Sequence, residues 1–176
     1  MRKANFTKLV KMILLSALLC VSLSGCLLSI ALGTRFVYSS VDLGGFFDRE
    51  SKESVAVLMS DISSLGVFTI YANTSKVLDL NGHRLNCTPI ISNTIITVKG
   101  ELTIKDSGTG GIIRNEGSNC IINVASSGKL ILECCSFESD NFLINVAGEL
   151  VISQEMYNSI ANKVHRGRNG IITIRN

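Results

Sequence analysis

The feature that most constrains this chain is a phrase that recurs in phase along its second half. Each copy opens on two aliphatic residues, at Ile95–Ile96, Ile121–Ile122, Leu143–Ile144 and Ile171–Ile172, with spacings of 26, 22 and 28 residues. A short strand, a glycine corner and a second strand follow, and the corner residues are Gly100, Gly128 and Gly148. Repeats of roughly 20–50 residues are typical of solenoids, in which each unit buries its apolar face against its neighbours.

Strand alternation assigns a face to each position of the repeat. The uniformly aliphatic positions are predicted to point inward, and they are Ile96/Val98, Ile122/Val124, Ile144/Val146 and Ile172/Ile174, then Leu102/Ile104, Leu130/Leu132 and Leu150/Ile152 after the corner. The uniformly polar column is predicted to point outward, toward any ligand, and it comprises Thr97, Asn123, Asn145 and Thr173. We expect glycine at the corners because glycine tolerates positive φ. Hydrogen bonding between stacked side chains is the other explanation for the polar column.

These patterns predict an all-β chain that folds as a short parallel β-helix of about four coils, with a sandwich or other all-β fold as the alternative. The stretch 48–66 reads as an amphipathic capping helix, since Val55, Leu58 and Ile62 share one helical face. The predicted organisation is therefore a targeting segment at 1–33, a linker and capping helix at 34–66, and the β-helix domain at 67–176.

The first 33 residues direct the chain to a membrane. A basic opening is followed by 22 uncharged residues from Met12 to Gly33. Three fates remain open: a lipoprotein signal with lipidation at Cys26 in "LSGC", a cleaved signal with Ala31 and Gly33 as the small residues at the peptidase site, or an uncleaved transmembrane helix. All three place the body outside the cytoplasm, either at the membrane and cell surface or secreted.

Two phrases resemble a known family. "VLDLNGHRL" at 77–85 and "ITVKGELTIKDSGTGGII" at 96–113 resemble segments of bacterial adhesin-like surface proteins, which are right-handed parallel β-helices of the pectin-lyase-like fold. The resemblance covers about residues 50–176. It implies extracellular display as a structural or adhesin-like binding module, with no catalytic residues. The amides and hydroxyls of the polar column could hydrogen-bond glycans or surface proteins, which are the predicted partners besides the membrane. A truncated or degenerate polysaccharide-acting protein is the alternative function.

The residues themselves give no strong enzymatic signal. The acids are scattered along the repeat, and Lys129 separates Glu101 from Glu149, so we expect a charge ladder rather than a calcium cage. Without Arg2, Lys3, Lys8 and Lys11, the chain carries 13 Lys and Arg against 14 Asp and Glu, which argues against nucleic acid as a partner. We predict no catalytic, metal-binding or cofactor-binding residue.

The cysteines and histidines receive structural interpretations. Cys134 and Cys135 are adjacent, so in a strand they would point to opposite faces and would not share a metal. Cys87 is predicted either to pair with Cys120 or to be a buried free thiol. His83 is predicted to form a contact that locks the first coil, and His165 to lie in a basic, solvated loop.

Overall fold

The computed structural model describes residues 33–64, 66–88, 94–115, 120–139 and 143–175. The elements of these residues are short, and all but two α-helices and one 3₁₀ turn are strands. In chain order they are β1 (Thr34–Val37), α1 (Ser40–Phe47), β2 (Val55–Leu58), β3 (Ile62–Ser64), β4 (Phe68–Ile70), β5 (Ser75–Asp79), β6 (Arg84–Cys87), β7 (Thr94–Val98), β8 (Glu101–Lys105), β9 (Ile112–Asn115), β10 (Cys120–Val124), β11 (Lys129–Glu133), β12 (Ser136–Glu138), β13 (Ile144–Val146), β14 (Glu149–Ser153), α2 (Gln154–Ile160), a 3₁₀ turn (Ala161–Lys163), β15 (Val164–Arg166) and β16 (Ile171–Arg175).

The strands form three parallel sheets. The seven-stranded sheet has the order β1-β2-β5-β8-β11-β14-β16, the five-stranded sheet β15-β13-β10-β7-β4, and the four-stranded sheet β12-β9-β6-β3. The chain visits the seven-, four- and five-stranded sheets in turn, and we call one such passage a rung. Four complete rungs run from β2 to β13, and the prediction of an all-β chain with parallel strands is confirmed.

The predicted inward columns form the core. Ile96, Ile122 and Ile144 lie on neighbouring strands in register, and so do Leu102, Leu130 and Leu150. All six side chains are fully buried. Aliphatic residues at the same position of every rung therefore stack on one another, and burial of this apolar surface is the main stabilising contribution.

The last predicted copy is placed differently from the expectation. Ile172 pairs with Leu150, and Thr173 pairs with Val151, so both residues belong to the seven-stranded sheet. The strand that follows β13 in the five-stranded sheet is β15, where His165 pairs with Asn145. The alignment of Thr173 with the polar column was therefore wrong. Its cause is α2, which was not predicted and which places an extra segment ahead of β15.

The predicted capping helix over 48–66 was also wrong. Residues Val55–Leu58 and Ile62–Ser64 are strands, with Ala56, Leu58 and Ile62 buried by strand alternation. The sheets thus begin at Thr34, upstream of residue 67.

The helix at this end is α1, whose N-cap Ser39 accepts a hydrogen bond from the Asp42 N–H. It contacts β1, β3 and β4, which are the first strands of the three sheets. Leu43, Phe46 and Phe47 are its buried residues.

The corner glycines are required for a reason other than positive φ. Among the described glycines, only Gly33, Gly82 and Gly110 have positive φ. At Gly128 and Gly148 an added Cβ would overlap the carbonyl oxygens of Val98 and Ala125, which belong to the preceding rung. The corners therefore need glycine because the backbones of successive rungs come too close together for a side chain.

The predicted membrane segment lies almost wholly outside this description. Residues 1–32, including Cys26 and Ala31, are not among the described residues. Within the described ranges, neither α-helix has the length and apolar character needed to cross a bilayer.

Candidate functional site

The polar column of the five-stranded sheet is the candidate site that the sequence singled out. Parallel register places Thr97, Asn123, Asn145 and His165 at the same position on successive strands. Thr97, Asn123 and Asn145 are half-buried, and His165 is exposed. The structure thus brings together three of the four predicted residues and replaces Thr173 with His165.

Hydrogen bonds join this column along the stack. The Asn145 Nδ2 donates to Asn123 Oδ1 over 2.8 Å, and His165 Nδ1 lies 2.9 Å from Asn145 Oδ1. The prediction that His165 lies in a loop was wrong, because His165 belongs to β15, which follows the unpredicted helix α2. The amide groups of Asn123 and Asn145 therefore connect three strands, which is the stacked hydrogen bonding expected as the other explanation for the column.

A second ladder lies on the seven-stranded sheet, as predicted from its alternating charges. Lys129 pairs in register with both Glu101 and Glu149, and its Nζ lies 3.9 and 3.8 Å from their carboxylate oxygens. All three side chains are partly exposed, so each ion pair contributes little by itself. The ladder links three strands and borders a shallow cavity of about 370 Å³ that also contacts Asn73 and Ser127.

The "LDLNGH" phrase forms a corner that Asp79 organises. Asp79 Oδ1 accepts hydrogen bonds from the backbone N–H groups of Asn81 and Ser107, at 3.0 and 2.9 Å. Burial opposes ionisation of Asp79, but these hydrogen bonds and the Lys105 charge hold its pKa below the usual range. The carboxylate is thus engaged by the neighbouring backbone.

Asp106 has the same role in the next rung. Its two carboxylate oxygens accept from the backbone N–H groups of Gly82 and Gly111, at 2.6 and 2.7 Å. His83 lies 3.5 Å from Asp61 across the first rung, in agreement with its predicted role as a locking contact. Together these side chains hold the corner residues of adjacent rungs in place.

Sequence reasoning missed a buried lysine at the α1 end of the stack. Lys76 sits at an inward position, paired with Leu102, and is 7% exposed. Its Nζ donates to the carbonyl oxygens of Ser51 and Glu53 and lies 4.9 Å from the centre of the Phe46 ring. Burial lowers the pKa of Lys76. The lysine therefore fastens the segment after α1 to the core.

Glu53 belongs to the same cluster. Its carboxylate accepts from Ser51 Oγ at 2.7 Å and from Arg35 at 2.9 Å. These hydrogen bonds, from Ser51 first and then Arg35, lower the pKa of Glu53 to about 2. The only sequence signal for this cluster is a lysine at a position that is aliphatic in the later copies.

The two adjacent cysteines differ in burial, since Cys134 is exposed whereas Cys135 is half-buried and packs against the core. Cys134 has a φ of 48°, which ends β11 at Glu133 and turns the chain. Both residues border one cavity of about 320 Å³, beside Ser136 and Glu155. Burial raises the pKa of the Cys135 thiol to about 12, so it is protonated at neutral pH.

Cys87 is a free, buried thiol rather than half of a Cys87–Cys120 disulfide. Burial also raises its pKa to about 12.

A further cavity lies between α1 and the start of the five-stranded sheet. It has a volume of about 610 Å³, and Val41, Asp48, Phe68 and Tyr71 contribute to its walls. Arg49 lies over the Tyr71 ring at 5.7 Å. The cavity is open, and its walls are mixed in polarity.

Three other observations bear on function. Within the described ranges, no three His, Cys, Asp or Glu side chains are grouped so as to hold a metal ion. Gly33, which belongs to the predicted cleavage site, has a φ of 62°, and its carbonyl oxygen accepts hydrogen bonds from the N–H groups of Ser54 and Val55.

In the comparisons, no family model, curated protein or solved structure matches the chain.

Proposed function

We propose that the three sheets form a right-handed parallel β-helix that is carried outside the cytoplasm as a structural, adhesin-like surface binding module. About 98% of crossover connections between parallel strands of one sheet are right-handed, which supports this handedness. The seven strands of the longest sheet extend the stack over about 29 Å at a strand spacing near 4.8 Å. Such a body acts as a stiff spacer with a surface at its far end.

The observation that carries the proposal is that polar side chains form hydrogen bonds and ion pairs between neighbouring strands. The Asn123–Asn145–His165 column and the Glu101–Lys129–Glu149 ladder each connect neighbouring strands. The carboxylates of Asp79 and Asp106 at the corner are engaged by backbone N–H groups. Side chains that join rungs in this way rigidify a stack, which is what a spacer or display module requires.

The N-terminal sequence supports the location. Four basic residues precede the uncharged run from Met12 to Gly33, and the first strand starts directly after it, at Thr34. The α1 end of the stack therefore lies next to the membrane when the apolar run is retained, and the β16 end is displayed away from it. Glycans or surface proteins are the proposed ligands of that displayed body.

Intact mass after cell fractionation tests this proposal. A lipid-modified mass beginning at Cys26 identifies a lipoprotein, the full-length mass in membranes identifies an uncleaved anchor, and a product starting near Thr34 in the medium identifies a secreted protein. An unmodified full-length protein in the soluble cytoplasmic fraction overturns the proposal.

A further inference from the structure

The turn between β11 and β12 carries two adjacent thiols to which strand alternation does not apply. β11 ends at Glu133 and β12 begins at Ser136, so Cys134 and Cys135 lie outside both strands. Cys134 has a φ of 48°, which is outside the strand region of backbone conformation. The prediction that the two thiols would not share a metal holds for a strand, and this segment is a turn.

The two cysteines border one cavity of about 320 Å³ and interact with each other. Cys134 is exposed, whereas Cys135 packs against the core, and both are free thiols. Burial, and then the charges of Asp106 and Cys134, raise the pKa of the Cys135 thiol. The two thiols are therefore close enough to interact electrostatically, and the cavity beside them can be reached from solvent.

A third sulfur borders the same cavity. It belongs to Met156 in α2, whose side chain is only 8% exposed. Two serines of the cavity wall fix the backbone of this residue: the Met156 N–H donates to Ser153 Oγ at 3.2 Å, and Ser159 Oγ donates to the Met156 carbonyl at 2.7 Å. The thioether is thus attached to a backbone that is already ordered, which lowers the entropic cost of binding a ligand.

The preceding rung holds the cysteine turn in the same way. In register, Glu133 pairs with Lys105 on one side of the turn. On the other side Ser136 pairs with Ile112, and its N–H donates to the Gly111 carbonyl at 3.1 Å. Both ends of the turn are therefore anchored, and a site built on it is preorganised.

The donor atoms around the cavity favour one class of metal ion. Thiolate and thioether groups are soft ligands, which select Cu(I). Structural Zn²⁺ sites need four ligands from Cys and His, but the described residues that border this cavity include two cysteines and no histidine. Ca²⁺ and Mg²⁺ need several oxygen ligands, whereas Glu155 is the one carboxylate among these bordering residues. Its negative charge favours a cation over an anion.

We propose that Cys134, Cys135 and Met156 form a binding site for Cu(I), in which two thiolates are the principal ligands and the thioether is the third. Binding displaces the two thiol protons and leaves the oxidation state of the metal and of the sulfur atoms unchanged. The competing explanation is that the three sulfur atoms only pack as small apolar groups. The site goes beyond the proposed display function and does not depend on where the protein resides.

Competition for Cu(I) tests the proposal on the full chain, reduced and free of oxygen, in mild detergent. All samples carry Cys20→Ser and Cys26→Ser, so that the thiols of the N-terminal segment do not contribute. The probe is Cu(I) bound to bicinchoninate, which loses its colour when the metal is transferred to the protein. We expect transfer of one Cu(I) per chain, and an excess of Zn²⁺ should not prevent it. X-ray absorption of the bound copper should show sulfur neighbours only.

Substitutions of the sulfur ligands identify the site. Cys134→Ser should weaken Cu(I) binding by about 100-fold or more and Met156→Leu by about tenfold, since ligands contribute at least as much as the groups that orient them. The matched controls are Cys87→Ala and Met59→Leu, which remove sulfur atoms outside the cavity and should leave the affinity unchanged. Circular dichroism verifies that each variant is folded, and Cys134 is exposed, so its replacement by serine should be tolerated.

Absence of transfer, or equal transfer to the Cys134→Ser variant, would overturn the inference and mean that the sulfur atoms only pack. An unchanged affinity in Met156→Leu would reject the thioether as a ligand and with it the three-sulfur site. The localisation experiment has no bearing on these results, so the two proposals can fail separately.

Discussion

At the scale of single residues, the repeat depends on close contacts between the backbones of successive rungs. It also depends on buried polar side chains, which a pattern of hydrophobicity does not reveal. The corner glycines illustrate the first case. Their positions could be predicted from the sequence, but the physical reason could not, because it lies in the distance between successive rungs. Lys76 illustrates the second, since its partners are carbonyl groups of a segment about 25 residues earlier.

Replacing a corner glycine should destabilise the stack. Gly128→Ala would place a Cβ against the Val98 carbonyl, so one rung must move away from the next. We expect a loss of about 2 kcal/mol or more in the free energy of unfolding. Gly44→Ala is the matched control, because a Cβ there meets no atom within 4 Å and alanine favours a helix. Thermal denaturation of both variants compares them, and equal melting temperatures would contradict the steric explanation.

The Glu53 cluster should give the protein an acid-sensitive component of stability. The pKa of Glu53 falls from its usual 4.5 to about 2 on folding. The folded protein therefore binds fewer protons than the unfolded chain, and the stabilisation is present above pH 4.5 and is lost as the pH falls toward 2. Because Glu53 is partly exposed to solvent, we expect its ionised form to contribute about 1–2 kcal/mol to the free energy of unfolding. Denaturant titrations between pH 2 and 4.5 should show that the free energy of unfolding depends less on pH in Glu53→Gln than in the unmodified protein. If the two proteins show the same dependence on pH, Glu53 is not the source of the acid sensitivity.

At the scale of elements, the register of the central strands could be predicted and their ends could not. The Ile and Leu columns repeat because each rung must bury the same positions. In contrast, Val55, Leu58 and Ile62 fit both a helical face and two short strands, and the pairing of β2 with β5 and of β3 with β6 decides between them. The misplacement of Thr173 has a similar origin, since a seven-residue helix with a Ser153 N-cap shifts the strand that continues the five-stranded sheet.

Helix α1 should be essential to the end of the stack that it covers. Phe46 is fully buried, packs edge-on against Phe47 and lies over Lys76. Phe46→Ala should cost about 3–5 kcal/mol. Val41→Ala in the same helix changes a residue that is 80% exposed and should cost less than about 0.5 kcal/mol. Similar unfolding free energies for the two variants would mean that the packing of α1 against the core does not stabilise the protein.

At the scale of the whole molecule, the two ends of the stack differ. At one end α1 contacts the first strands of the three sheets, whereas near the other end α2 packs against β14 and β16. In the proposed display module, the α1 end lies next to the membrane when the apolar run is retained. The stack could be predicted from the repeat, but the place of Ile172 in the seven-stranded sheet could not, because it depends on the unpredicted helix α2.

The measurement that tests the central claim most directly is labelling of Cys134 in intact cells with a membrane-impermeant maleimide. Cys134 is exposed, whereas the thiols of Cys87 and Cys135 have pKa values raised to about 12 by burial. A Cys134→Ser variant isolates the signal of this residue. The account predicts that Cys134 is labelled to the same extent before and after cell lysis. Labelling that appears only after lysis would place the body in the cytoplasm and contradict it.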